Sequence, residues 1–156
     1  MADAFPALAD LLSEEEELQL SSFTNDDAWE FGCALVAAAR ERDAPVAISV
    51  VRNGHRLFTA ALTGATPDNE QWIQRKERVV RRFGHSSLAV RQSFAARGTT
   101  FEEGSGLDLE QYAAHGGSFP VLIRSVGPVG TVTVSGLPQV EDHRMVVAAL
   151  RARLTG

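Results

Sequence analysis

The sequence predicts an α+β domain in which an antiparallel sheet is flanked by helices. Two pairs of β-rich runs, VAISVV with RLFTAAL and SFPVLIRSV with VGTVTVS, are each joined by a short turn. Helical patterns precede, separate and follow these pairs. Neither pair has room for a crossover helix, so hairpin pairing is expected and a doubly wound parallel sheet is excluded.

Two helices are predicted before the first hairpin. The first spans residues 7–20, and its acidic run at 14–17 has the composition of a solvated face. The second begins near Asn25, where Thr24 or Asn25 can cap it, and continues to about Arg40. Apolar residues at helical spacing on this second helix predict a buried face, and Cys33 is expected to be a small buried hydrophobe. That face comprises Trp29, Gly32, Cys33, Val36 and Ala39.

The first hairpin is marked by Asn53-Gly54, since a type I′ turn needs positive φ at both central residues. His55, beside the turn, is expected to pair across the strands with Arg52. A helix then begins at about Pro67 and stops at Gly84. The next helix covers residues 86–96, with Ser86 as a plausible cap.

The second half of the chain predicts a turn or two of helix at 107–114, then a hairpin with Gly127-Pro128 between its strands. The last helix begins near Pro138 and carries Glu141 and Asp142 early and two arginines late, as the helix dipole favours.

The length and composition indicate one soluble domain, 1–156, in which 1–24 forms an N-terminal helical extension. The N-terminus has no signal-peptide pattern and one cysteine cannot form an internal disulfide, so a cytoplasmic location is expected. No apolar run approaches a membrane span, and a net charge of −5 argues against general nucleic-acid binding. Neither a membrane nor a nucleic acid is therefore an expected partner.

Lys76 is the candidate that stands out most. The other fourteen of the fifteen basic residues are arginine, yet this lysine lies at the centre of an apolar helix face that includes Trp72. A desolvated ammonium costs several kcal/mol unless it is paired, so a partner or a ligand is expected beside it. The alternative is that its aliphatic stem covers apolar surface while the amine reaches solvent. Both interpretations remain open at this point.

Asp142 and His143 lie in the first turns of the last helix, where free N–H groups favour anions. His143 lies on the apolar face, and the alternative for it is a satisfied core histidine. Together with Lys76, these residues indicate a pocket that accepts an anion.

The segment AAHGGSFP places two glycines beside an ionisable ring. Gly116 and Gly117 permit positive φ and a close approach to another group, which is a plain turn into the strand or part of a site. His115, Ser118 and the Ser135-Gly136 end of the neighbouring strand can open onto the same rim. These residues complete the candidate ligand-binding set.

Four segments of the chain resemble those of an uncharacterised family related to the haem-degrading domain group, with its GlcG-type and HbpS-type haem-binding proteins. The segments are NGHRLFTAAL, TPDNEQWIQRKERVVRRFGHSS, AAHGGSFPVLI and GTVTVSGLPQVEDH. The resemblance covers nearly the whole chain. It implies a profilin-like or PAS-like fold with an antiparallel sheet of about five strands, and assembly into homo-oligomers of at least two copies. It also implies functional positions at Lys76, Gly116, Gly117, Pro120, Asp142 and the GTVTVSG segment.

Three classes of function compete. The first is binding of a small anionic molecule, with haem or another carboxylate-bearing metabolite as the candidates. The second is a structural or adaptor homo-oligomer in which the arginine-rich residues 75–82 meet an acidic surface such as 14–17. The third is an enzyme that uses Lys76, His143 or His115 as acid or base. No catalytic motif and no metal-ligand spacing is recognised, so catalytic residues are unassigned and a metal is not expected.

Overall fold

Six helices and five strands follow one another in the computed structural model, which describes residues 4–155. In chain order they are α1 (Leu8–Glu17), β1 (Gln19–Leu20), α2 (Asn25–Glu41), β2 (Ala47–Arg52), β3 (His55–Ala61), α3 (Pro67–Phe83), α4 (Ser87–Ala96), α5 (Phe101–Gly104), β4 (Ser118–Ile123), β5 (Gly127–Ser135) and α6 (Gln139–Thr155). The α+β prediction is confirmed. No helix within residues 4–155 has both the length and the apolarity needed to cross a bilayer.

The strands form one sheet in the order β1-β4-β5-β2-β3, antiparallel except for the parallel pairing of β1 with β4. The first hairpin is as predicted, with φ of 50° at Asn53 and 78° at Gly54, and Arg52 pairs with His55. In the second hairpin the turn lies at 124–126, and Gly127 and Pro128 already belong to β5.

Helix boundaries follow local capping chemistry. The Thr24 hydroxyl accepts from the Asp27 backbone N–H at 3.0 Å, and the Thr24 N–H donates to the Asp27 carboxylate at 2.8 Å, a capping box at the start of α2. Gly84, with φ of 75°, ends α3 in the left-handed conformation. The Ser86 hydroxyl caps α4 by accepting from the Ala89 N–H. These three boundaries agree with the sequence prediction.

The two faces of the sheet are covered by different helices. Val132 and Val134 of β5 belong to the main apolar cluster, together with residues of α2 and α6. Because side chains alternate along a strand, Thr131 and Thr133 point to the opposite face. Helix α3 packs on that opposite face, where β5 runs through the centre of the sheet.

Besides the position of the second turn, four local expectations were wrong. Helix α1 ends at Glu17, and Gln19–Leu20 form a strand instead of a last helical turn. Residues 107–114 contain a turn but no helix, and the short α5 precedes them.

On α2, Cys33 is exposed and Trp29 is 63% exposed. Gly32 and Ala39 of the predicted face are buried, but the centre of the buried face is shifted to Phe31 and Leu35. The acidic run is only partly solvated, since Glu15 is buried.

Candidate functional site

Lys76 lies on α3 with its amine buried against the end of the sheet; the residue is 3% exposed. Its Nζ donates to the carbonyl oxygen of Gly116 at 2.9 Å and to that of Val134 at 3.0 Å. The third hydrogen bond goes to Asp142 Oδ2 at 3.2 Å. An ammonium group has three N–H donors, so all three are used within the chain.

Asp142 completes this buried ion pair from the first turn of α6. Its other carboxylate oxygen accepts from the Leu137 N–H at 3.0 Å. Burial raises the pKa of Asp142 to about 6, although the Lys76 charge and the backbone hydrogen bonds act in the opposite direction. Burial likewise lowers the pKa of Lys76, against the attraction of Asp142. Desolvation therefore outweighs attraction for both partners.

The double glycine allows the chain to pass close to this ion pair. Gly117 has φ of 134°, and a Cβ there would overlap Val134 O and Lys76 Nζ. A Cβ on Gly116 would overlap the carbonyl oxygen of Gln139 in α6. Glycine is thus required at both positions, because only a backbone without side chains can come close enough to offer the Gly116 carbonyl oxygen to Lys76.

A cavity of about 290 Å³ opens beside the ion pair. Lys76 and Asp142 lie on its inner side, and the remaining lining comes from the start of α3, the segment before β4, and the connection from β5 to α6. Those other lining residues are Asn69, Trp72, His115, Ser135, Gly136, Leu137 and Gln139.

One wall of this cavity consists of two rings. The Trp72 and His115 centroids are 5.0 Å apart, and the Arg75 guanidinium lies 4.4 Å from the Trp72 ring centroid. Burial lowers the pKa of His115, and the positive charges of Arg91, Lys76 and Arg75 lower it further against the opposing charge of Glu102. His115 is therefore a neutral imidazole in a mainly positive field at neutral pH.

Five of the nine predicted site residues line this cavity: Trp72, Lys76, His115, Ser135 and Asp142. The other four lie behind it. Gly116 and Gly117 form the bend that packs against Lys76, and the Ser118 hydroxyl is buried 2.9 Å from Thr133 Oγ1. His143 is 1% exposed, and its Nε2 lies 2.8 Å from Glu14 Oε1, so α1 covers it.

Sequence reasoning missed Gln139 and Asn69. The side-chain amide oxygen of Gln139, Oε1, accepts from the Gly116 N–H at 3.0 Å, which ties α6 to the double glycine. Asn69 completes the capping box of α3 by accepting from the Thr66 N–H. The only sequence signal for either residue is a polar side chain in the first turn of a helix, and that signal is common to most helices.

No group of three or more histidine, cysteine or acidic residues close enough to hold a metal ion occurs between residues 4 and 155. The polar side chains that line the cavity offer hydrogen bonding and charge.

The fold and the site together define a class of protein: an α+β domain with a lysine–aspartate pair buried where a double-glycine bend meets the last helix. The family model for the haem-degrading protein HbpS-like matches residues 23–151, and this chain belongs to that family. The chain is 60% identical over 149 residues to a UPF0303 protein of Streptomyces coelicolor, an alignment that covers 96% of this chain and 94% of that protein.

Solved structures agree on the fold. The crystal structure of the Ybr137w protein superposes with a TM-score of 0.85 at 39% sequence identity, covering 95% of this chain and 87% of that one. A structure described as a PduOC:heme complex superposes with a TM-score of 0.69 at 19% identity, covering 84% of this chain and 94% of that chain. At that identity the second likeness establishes the fold alone.

Proposed function

We propose that this protein binds a small carboxylate-bearing molecule in the cavity between Trp72, His115 and Gln139. The observation that carries the proposal is a concave site in which the neutral His115 lies near three cations and two carboxylates, those of Glu102 and of Asp142, so that positive charge is in excess. Such a site attracts a negatively charged group. The haem-degrading family to which the chain belongs supports the binding of a ligand of this type.

Two uncommitted hydrogen-bonding groups support the same ligand class. Among residues 4–155, neither ring nitrogen of His115 has a hydrogen-bond partner, and the Gln139 side chain uses only its amide oxygen Oε1. A ring N–H of His115 and the amide NH₂ of Gln139 can both donate to a carboxylate. Lys76 has no N–H left to donate, so it acts on the cavity through its charge, which the paired carboxylate of Asp142 balances while that group is ionised.

The cavity volume restricts the ligand. Pockets that enclose a drug-sized molecule have volumes of about 300–1,000 Å³, and this cavity, at about 290 Å³, lies at the lower end. A compact carboxylic acid can enter it whole. A haem macrocycle cannot, so haem would have to bind at the mouth and insert a propionate. The residues present thus fit one carboxylate of haem and not its ring.

The ion pair gives this binding a pH dependence. With Asp142 ionised, the Lys76–Asp142 pair has no net charge. Protonation of Asp142, whose pKa is about 6, leaves the pair with a charge of +1. A ligand that remains a carboxylate should therefore bind more tightly as the pH falls through about 6, and the Asp142→Asn variant should lose this change.

The experiment is a titration of carboxylic acids and of haem. Compact mono- and dicarboxylic acids are screened by thermal shift and calorimetry, and haem is titrated while its Soret absorbance is followed. The wild type should bind at least one of these saturably, and His115→Ala should bind it about tenfold more weakly, as expected for one lost hydrogen bond to a charged group. His55→Ala, in the exposed hairpin turn, is the matched control.

The proposal fails if neither any acid nor haem saturates the folded wild type. It also fails if His115→Ala and His55→Ala bind equally well. Lys76→Met is a second variant for the haem titration. Its fold must be verified first, because the lysine also supports the structure.

A further inference from the structure

Helices α2 and α6 lie side by side and antiparallel on the apolar face of the sheet. Arg42, directly after α2, contacts Glu141 at the start of α6 at 3.0 Å. Arg153, near the end of α6, contacts Glu30 near the start of α2 at 3.3 Å. These two pairs mark the two ends of the space between the helices.

A groove of about 770 Å³ runs between the two helices and is open to solvent. Phe31 and Met145 form part of its apolar base, and its sides are small. The alanines that line it are Ala34, Ala38, Ala148, Ala149 and Ala152. The lining on α2 extends from Glu30 to Arg42, a length of about 18 Å at 1.5 Å per residue. None of the other described elements of the chain covers it.

The charges at the ends of the groove are arranged so that the groove of one copy is complementary to the same groove of a second copy. On each helix the lining has a carboxylate near the start, Glu30 or Glu141, and an arginine near the end, Arg42 or Arg153; a further arginine, Arg144, lines the groove from the second turn of α6. Because the helices are antiparallel, each end of the groove has both an acid and an arginine.

Two copies packed face to face are related by a two-fold axis in the plane of the interface. If that axis runs along the helices, Glu30 faces the second copy's Arg153, and Arg42 faces its Glu141. If the axis runs across the helices, Glu30 faces the second copy's Arg42, and Glu141 faces its Arg153. Every carboxylate faces an arginine in both arrangements, which is the self-complementarity that an isologous interface requires.

We infer that the α2–α6 groove is the surface through which two copies of this chain associate. The alanines allow the helices of the second copy to approach closely, so that four helices pack around the groove. An apolar molecule with a single carboxylate fits less well, because it would meet an acid as well as an arginine at either end. This surface is distinct from the cavity at His115, so the two proposals can fail independently.

The experiment measures assembly by light scattering and sedimentation at micromolar concentration. The wild type should have at least twice the chain mass of 16.8 kDa. Ala34→Glu puts a charge on the groove wall and should weaken association about a hundredfold, because that charge becomes buried without a partner. Ala37→Glu, also exposed on α2 but outside the groove, is the matched control and should assemble like the wild type.

A second measurement uses Cys33, the only cysteine, which is exposed and adjacent to Ala34. A nitroxide attached there should show one short distance between copies, and Ala34→Glu should abolish it. A monomeric wild type would overturn the inference, as would unchanged assembly of Ala34→Glu. The inference is also overturned if Ala34→Glu assembles to the same mass as the wild type but no longer binds the carboxylic acid or haem, since the groove would then be a ligand site.

Discussion

The two faces of the central sheet differ in polarity, although the same strands form both. On the α2–α6 face, Val132 and Val134 pack among aliphatic and aromatic side chains. On the α3 face, Thr131 and Thr133 of the same strand lie at an interface that also buries Lys76. The first face supplies hydrophobic burial. The second places buried hydroxyls and a charged pair next to a cavity. Burying these groups costs stability, so such an arrangement is expected where a binding site uses them.

This difference explains where the candidate site lies. A uniformly apolar interface has no groups that can recognise a ligand. The α3 interface ends in polar groups where the Gly116-Gly117 bend opens it, and the cavity begins at that opening.

The largest expected effect comes from breaking the buried ion pair on the α3 face. Lys76→Met leaves the Asp142 carboxylate buried without its counter-ion and the carbonyl oxygens of Gly116 and Val134 without their donor, and we expect a loss of about 3–5 kcal/mol in the free energy of unfolding. Urea denaturation followed by circular dichroism measures it. The double variant Lys76→Met/Asp142→Asn should recover a substantial part of the loss, because it removes both charges.

The matched control lies on the apolar side, where Glu17→Gln breaks the exposed pair with Arg151 of α6. Exposed pairs contribute at most about 1 kcal/mol, so this variant should denature close to the wild type. If Glu17→Gln and Lys76→Met cost the same, the contrast between the two faces is wrong.

Much of this contrast could be predicted from the sequence. One lysine among arginines, at the centre of the apolar arc of α3, indicated a buried amine with a partner, and Lys76 is indeed buried beside Asp142. Hairpin turns and helix caps depend on local chemistry, so Asn53-Gly54, Thr24 and Gly84 indicated their roles correctly. Whether the predicted residues bind a ligand stays a prediction.

What the sequence did not reveal depends on distant partners. On α2, the set that includes Trp29 and Cys33 and the set that includes Phe31 and Leu35 both have helical spacing, and only the position of the sheet determines which is buried. His143 contacts Glu14 across 129 positions, a pairing that no local pattern can indicate. A strand of two residues such as β1 is too short for any periodicity.

A second prediction concerns the pH dependence of stability on the α3 face. The pKa of Asp142 is about 6 in the folded protein and ordinarily 3.8, so the folded state holds this proton more tightly than the unfolded chain. The stabilisation is complete below about 3.8 and is lost as the pH rises through about 6. The free energy of unfolding, measured by urea titration from pH 4 to 7, should therefore include a falling contribution that Asp142→Asn removes. Identical slopes for the two proteins would contradict the assignment.

A third prediction tests the double-glycine bend. Gly117→Ala, at φ of 134°, meets Val134 O and Lys76 Nζ, whereas Gly98→Ala, at φ of 80°, has nothing within 4 Å. Gly98→Ala carries left-handed strain of about 1–2 kcal/mol, and Gly117→Ala should lose about 2 kcal/mol more through overlap and its less accessible φ. Thermal unfolding of the pair measures the difference. Equal losses would mean that the bend tolerates a side chain and that Lys76 does not need the close backbone.

The smallest expected change in stability comes from replacing either of two buried hydroxyls on the α3 face. Thr131 and Thr133 are both buried on β5 and point the same way, but Thr133 lies 2.9 Å from the Ser118 hydroxyl, whereas Thr131 Oγ1 has no partner among the described residues. Replacing either by valine keeps the shape and the β-branching. Thr133→Val should therefore destabilise by about 1 kcal/mol, and Thr131→Val should stabilise by a similar amount, because it removes an unsatisfied buried hydroxyl. If the denaturation midpoints of both variants shift in the same direction, the two hydroxyls are equivalent. The hydrogen bond of Thr133 would then make no difference to the stability of this interface.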